Sequence, residues 1–473
     1  MVYFYQGYAS KDFMAVAYLR KVEMIMISRE FAKFVHALSY EKMPADVIEL
    51  SKICLLDYLS CTLAGSRSEI YPIFMDLVDE LGGAKQAAIY GSPVKTSVAN
   101  AALVNSAFSH VLEMDDIHRL AMYHPGIVAL PAALAVAERD GLSGKRLIEG
   151  IVAGYEVGIR IGVAINPSHF KIWHTTGTVG TFASAASAGK LMDLGVDELT
   201  DAFGNAGSQA AGLWQFNIDA AMTKPLHSGK ASMNGIYAAM LAKRGFTGAE
   251  NIIEGAKGFG VATSEAPDFD LMIRDLGKVY EFLGIGVKVH SGCRHTSSSV
   301  DGALAIRNKY GVKPEDIESI QLKTYELGMD LCGAVFPQNI PQAKFSIAYC
   351  VACVFAFGRC TMDEMNMDVI GSEAVQSLLR KTTITVDEGL EKDFPMGYAS
   401  IVGVTLKDGR SFDEFTPHCK GDPENPVAFG EMKDRFFAMT KGIIGEQEQK
   451  KLLGLVENLD EIGDISELVN YVQ

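Results

Sequence analysis

Apolar positions repeat at helical spacing from Pro44 to Gly65, where Val47, Leu50, Cys54 and Tyr58 share one face. Pro44 suits the first turn of that helix and Gly65 its end. The same spacing predicts helices near 69–82, 96–113, 127–139, 144–166, 175–193, 196–213 and 230–244. Several are rich in Ala and Gly, as in ALVNSAFSH and GTFASAASAGK. Small side chains let helices approach closely, so the pattern predicts a compact bundle rather than a coiled coil.

The texture changes after Lys278. Ser319–Leu327 alternates apolar and polar residues, Thr382–Val386 is a short β-branched run, and Ala399–Phe415 reads as two strands around Asp408-Gly409, a hairpin signal. Helical patterns near 295–310 and 341–357 lie between these strands, and helices return near 427–441 and 445–457. The expected fold is mainly α, with a large, discontinuous all-helical domain and a smaller α+β lid domain. The expected boundaries are an N-terminal extension at 1–26, a helical domain at 27–278, the lid at 279–416 and C-terminal helices at 417–473 that return to the first domain. A site is expected at the seam between the two.

Composition narrows the class. The chain has 473 residues, 48% of them hydrophobic, and a formal charge of -15. That acidity, without any long Lys/Arg run, argues against nucleic acid. Its most apolar runs, Ile127–Ala137 and Ala348–Phe357, are too short for a membrane span. The first 26 residues lack the form of a signal peptide, so the expected compartment is the cytoplasm. Eight cysteines in apolar helical contexts do not form a disulfide framework, and Cys350-x-x-Cys353 inside YCVACVFAF reads as buried small hydrophobes.

Against this acidic background, Ile218–Gly235 gathers Lys224, His227 and Lys230 in a segment punctuated by Pro225, Gly229 and Gly235. A local reversal of sign suits an anion, and a basic turn between helices is the plainer alternative. His110–Pro125 holds Glu113, Asp115, Asp116, His118 and His124, a set able to act as acid and base or to ligate a metal. His174 precedes a Thr/Gly-rich helix start, where free N–H groups favour an anion. Lys288, His290, Cys293, Arg294 and His295 form a second cationic group whose spacing fits no standard zinc pattern. GLSGK lacks phosphate-loop spacing, and GAKGFG opens no dinucleotide unit.

The order HxxxxDD…HPG, HxTGTxG, GLWQF…DxAMTKxLHxGKAxxNG and K…CRHxxxxxDG resembles the MmgE/PrpD family, from residue 27 to 445. The resemblance implies a helical domain with a smaller lid, a homodimer, no metal and no organic cofactor. It implies catalytic roles for Asp115, Asp116, His124, His174, Lys224, His227 and Lys288, and substrate binding by Lys230, Cys293, Arg294 and His295. Two departures stand out. Ile117 occupies the position of Thr in the family's DFDDT motifs, and Cys293 lies near the position of a His in its decarboxylases.

Chemistries of this family build negative charge on a carbon beside a carboxylate. Lys224, Lys230 and Lys288, assisted by Arg294, could hold substrate carboxylates while His124 or His174 moves the proton and Asp115 or Asp116 orients a histidine or acts as base. The first expectation is a cofactor-free hydro-lyase acting on a hydroxylated di- or tricarboxylate. Epimerisation of a dicarboxylate such as iminodisuccinate, and decarboxylation of the cis-aconitate type, use the same clamp. Two other classes remain: a metal-dependent hydrolase using Asp115, Asp116, His118 and His124, and a polycarboxylate-binding protein without catalysis. A clamp of exposed cations would also make affinity salt-sensitive.

Overall fold

A computed structural model describes residues 26–473. All of the expected N-terminal extension except Met26 lies outside the described residues.

The predicted helices form, with adjusted ends. The one expected near 69–82 spans Ile70–Leu81, and the others are α1 (Ala45–Gly65), α2 (Val98–His110), α3 (Gly126–Asp140), α4 (Gly144–Ile165), α5 (Thr175–Leu191), α6 (Val196–Gly207) and α7 (Lys224–Ala242). Every residue of α5 is buried, which its Thr, Ser, Ala and Gly side chains permit, and α4 and α7 pack against it. The helix expected at 196–213 ends at Gly207, and the last six residues form the turn leading towards α7.

The cationic stretch is not a broken segment. Lys224 begins α7, with Pro225 in the first turn, where its missing N–H costs nothing. Gly229 and Gly235 lie inside this helix because its neighbours are too close for side chains. A Cβ would come within 2.5 Å of Leu103 O at the first and 2.4 Å of Ser184 Cβ at the second. The glycines seat the helix against α2 and α5 rather than breaking it.

The second unit contains α8 (Arg294–Tyr310), α9 (Ile347–Phe357) and a four-stranded sheet. The strands are β3 (Ile317–Thr324), β4 (Thr382–Val386), β5 (Ser400–Leu406) and β6 (Ser411–Thr416), in the order β4-β3-β5-β6. Only the β3–β4 pair is parallel; β3 starts before the expected Ser319, with a register shift between Ile317 and Ser319 on β5, and ends short of the expected Leu327 because a helix begins at Glu326. Gly409, at φ 86°, turns the β5–β6 hairpin. The run expected as one helix at 341–357 is two, divided at Phe345–Ser346, with Ser346 capping α9.

Two main cores correspond to this division. One runs from Phe31 through the helical region and takes in Phe436 and Leu452 of α10 (Phe429–Thr440) and α11 (Glu446–Glu457). The other joins Val300, Ile320, Val351 and Val402. A short antiparallel pair links the units: β1 (Ile117–His118) lies on β2 (Ile285–Gly286), with Ile117 opposite Gly286. That pair brings the carboxylate motif beside Lys288. All eight cysteines are free and buried, Cys350 and Cys353 within α9. Among the described residues, no helix is long and apolar enough to cross a membrane.

Candidate active site

The turn after α2 is folded tightly. Glu113 has a left-handed backbone, φ 57°, an uncommon conformation for a non-glycine residue. The two carbonyls before it are held from the second unit: Lys344 Nζ donates to Val111 O at 2.6 Å and Ser291 Oγ to Leu112 O at 3.0 Å. The carboxylates that follow then diverge. Asp115 faces two histidines, His110 at 3.1 Å and His124 at 2.8 Å. Asp116 faces the start of α3, accepting from Gly126 N at 2.9 Å and Tyr155 Oη at 2.6 Å. Gly126 of the HPG motif leaves room for this, since a Cβ there would lie 2.7 Å from Asp116.

Glu113 is the centre of charge. Its carboxylate accepts from Lys224 Nζ at 2.5 and 2.6 Å, and Lys288 Nζ stands 3.6 Å away. Burial raises the Glu113 carboxyl, but the charges of Lys224, His110 and Lys288 outweigh it and hold it at about 2. Burial likewise opposes ionisation of Asp115, yet His110, Lys288 and His124 hold it well below the usual carboxylate range. Asp116 goes the other way: burial, then the charge of Asp57, pushes it up to about 8.

His124, His174, His227 and His295 are buried, and burial lowers the proton affinity of each. Burial holds His124 at about 4 despite Asp115. His124 Nδ1 lies 2.8 Å from Asp116 O as well as from Asp115, which assigns its proton to Nδ1 and leaves Nε2 as the basic nitrogen. His174 and His227 share a contact of 3.2 Å between their Nδ1 atoms, so one donates and the other accepts. Burial, then the charge of His227, keeps His174 well below its ordinary value, and burial followed by Lys230 holds His227 at about 4. His295 is at about 3, from burial and then Lys224.

A cavity at the seam is lined by His124, His174, Lys224, Arg294, His295, Cys293, Tyr398 and Trp214, with Ile117, Met122 and Phe170 as its apolar side. Its lining contains no carboxylate. At about 20 Å³ it has room for little more than one water. A second cavity, about 400 Å³, shares Lys224 and extends between residues 216–225 and 330–345.

Several expected site residues lie elsewhere. Lys230 donates to Ala211 O at 2.7 Å, because six residues along a helix turn it well away from Lys224. Asp116 serves the start of α3, outside the cavity lining. His227 stands behind His174, and Lys288 behind Glu113, neither in the cavity lining. Arg294 reaches the cavity but is bound to Asp422. The free cationic clamp is therefore corrected: Lys224 and Lys288 are buried and face carboxylates.

The four-residue metal set does not converge. His118 is held in β1, with Nδ1 accepting from Ala121 N at 3.2 Å. His110, Asp115 and His124 do place ligand atoms within 4.8 Å of one another. However, Lys288 Nζ lies 3.9 Å from Asp115, and a fixed ammonium there opposes a metal cation. His290 is paired with Asp301 at 2.7 Å.

The sequence places Glu113 in the acidic set but marks no catalytic or binding role for it. Nor does it mark a role for His110, Trp214 or Tyr398. His110 opens the quoted motif and Trp214 belongs to GLWQF, but no local signal marks Tyr398.

The MmgE/PrpD N-terminal domain matches residues 29–272 and the MmgE/PrpD C-terminal domain matches 290–461. Cis-aconitate decarboxylase of Aspergillus terreus is 28% identical, over 94% of this chain and 95% of its own. The cis-aconitate decarboxylase-like protein oryM of Aspergillus oryzae is 26% identical, over 94% and 96%. Human cis-aconitate decarboxylase is 25% identical, over 94% of each chain.

Proposed function

The chain belongs to the MmgE/PrpD family, and we propose that it is a polycarboxylate lyase whose reaction is loss of CO2 from an unsaturated tricarboxylate. The observation that carries this reading is the seam cavity, where two cations and three neutral imidazoles meet without any carboxylate in the lining. The relatives' names support decarboxylation. So does the apolar side of Ile117, Met122 and Phe170. A carboxylate forced against that wall loses hydration, and departure as neutral CO2 relieves the cost.

In this mechanism Lys224 holds the carboxylate beside the reacting carbon, and Glu113 with Lys288 fixes the ammonium in place. The C–C bond to the leaving carboxylate breaks, and its electron pair moves through the double bond towards the held carboxylate. Lys224 stabilises the charge that develops there. An imidazole of His124 or His174, protonated when the polyanion enters, returns one proton to carbon. Asp115 orients His124, and His227 orients His174. The α+β unit acts as a lid, since the cavity is smaller than any tricarboxylate. A homodimer is part of the same reading, supported by the exposed apolar residues Leu226, Tyr237 and Leu241 of α7.

Dehydration of a hydroxylated polycarboxylate is the second reading. It is favoured by Cys293, which stands near the position of a His in the family's decarboxylases. Proton NMR in D2O separates the branches, with cis-aconitate, citrate, 2-methylcitrate, malate and iminodisuccinate as substrates. The expected result is CO2 loss with deuterium entering beside a carboxylate. An alkene formed by water loss would assign a dehydratase, and an inverted centre an epimerase. No product and no exchange from folded protein would remove the enzyme reading.

A further inference from the structure

Two residues of the seam cavity carry buried N–H donors with no partner in the protein. Arg294 is 2% exposed, and its Nη2 is bound to Asp422, but Nη1 is unpartnered. Trp214 Nε1 is also buried and unpartnered. Among the residues lining this cavity, these are the two with such an orphan atom. A buried donor left unpaired costs about 1–3 kcal/mol, and more when charged. Two such costs in one cavity point to a ligand that removes both.

Both side chains are held in place. Asp422 fixes Arg294 and also faces Arg119 at 3.4 Å, while Arg119 is taken up by Glu424 at 2.6 Å. The Trp214 indole packs edge-on to Phe170, with ring centres 4.7 Å apart, and lies 4.9 Å from His174. Burial raises the affinity of Arg294 for an anion, because little water competes for the guanidinium.

We propose that Arg294 Nη1 and Trp214 Nε1 form a second carboxylate subsite, binding a group of the substrate other than the one held by Lys224. This rests on the polycarboxylate reading above and deepens it. The substrate class becomes one with at least two carboxylates, and a monocarboxylate leaves one of the two anchors empty. Arg294 begins α8, whereas Trp214 lies in the turn between α6 and α7. A carboxylate between them therefore joins the two units, so binding at this subsite also closes the seam.

Calorimetric titration with non-reacting ligands tests the subsite. The probes are propane-1,2,3-tricarboxylate, glutarate and butyrate. Trp214→Phe keeps the packed ring and removes the donor, and Arg294→Gln removes the charge. The expected result is tricarboxylate binding weakened about 10-fold by Trp214→Phe and about 100-fold by Arg294→Gln, from one lost neutral and one lost charged hydrogen bond. Butyrate should bind weakly and equally to all three proteins. Tricarboxylate affinity unchanged in Trp214→Phe would overturn the subsite, even if Arg294→Gln fails to fold. If the wild type still turns over a polycarboxylate in that case, the lyase reading stands without the subsite. A wild type that binds neither polycarboxylate would remove both.

Discussion

Glu113 and Lys224 are 111 positions apart in sequence, yet their side chains meet at 2.5 and 2.6 Å in the buried seam. The pair joins the acidic turn after α2 to the first residue of α7. It makes Lys224 a fixed, partly neutralised cation rather than a free one. Breaking a buried pair costs about 3–5 kcal/mol, because the remaining charge is left uncompensated.

That relationship separates stability from catalysis. Lys224→Met should lower turnover by about 10²–10³, the scale of a lost transition-state donor. It should also lower Tm, since Glu113 stays charged and buried. Glu113→Gln combined with Lys224→Met should recover much of the Tm but none of the turnover. Calorimetry and steady-state rates on the four proteins of the cycle would show this. Turnover recovering together with Tm would mean that Lys224 has only a structural role.

Stability should be greatest near pH 6.5. His118 and His295 are held at about 3, and His124, His169 and His227 at about 4, all by burial first. Their folded values lie below the unfolded 6.5, so the unfolded chain binds more protons between about 4 and 6.5 and stability falls as pH drops through that window. Asp116, raised to about 8, and Glu156, raised to about 7, contribute with opposite sign. Their contribution is full below the unfolded carboxylate value and is lost as pH rises through the folded one. Five histidines outweigh two carboxyls below pH 6.5, and the carboxyls act from there to about pH 8, where Lys230, lowered to about 8 by burial, begins to act with the opposite sign. A Tm that keeps rising through pH 8 would contradict this, and Asp116→Asn should flatten the upper limb.

Ligand binding should take up protons at pH 7. His124 and His227 are neutral in the empty site, and a polyanion beside Lys224 raises the proton affinity of nearby imidazoles. Titrating propane-1,2,3-tricarboxylate in buffers of different ionisation enthalpy should give a heat that changes with the buffer. Identical heats in phosphate and Tris would show that no proton accompanies the ligand.

Salt should have little effect on affinity. The sequence suggests exposed cations, but Lys224 is 6% exposed and Lys288 0%. Screening acts on exposed charges far more than on buried ones. A change of less than about 3-fold in KM between low and 0.3 M salt is expected; a steep decline would indicate an exposed clamp after all.

Gly126→Ala should lower Tm by several degrees, because the new methyl would crowd Asp116 and the Tyr155 hydroxyl, and overpacking costs about 1–3 kcal/mol. Tm unchanged by the substitution would mean that the start of α3 can shift to make room.

The local features were legible because local rules govern them. Helical spacing marked α1 and α3 to within a residue or two, and β-branched residues marked β4 at its observed bounds. Asp408-Gly409 marked the hairpin because the turn needs a left-handed residue. The acidic and cationic motifs were visible as composition, and their order was enough to suggest the family. Direction was not legible. Asp115 and Asp116 are neighbours in sequence, yet one meets histidines and the other a helix start, because the left-handed Glu113 and the short β1 strand set the turn between them. Gly229 and Gly235 looked like breaks in the chain, and only the approach of α2 and α5 gives them another meaning. Lys224, Lys230 and Lys288 looked alike as charges. Tertiary packing decided that Glu113 joins the first and third and leaves Lys230 outside, since a long-range ion pair depends on which helix faces meet and on how much water their meeting removes.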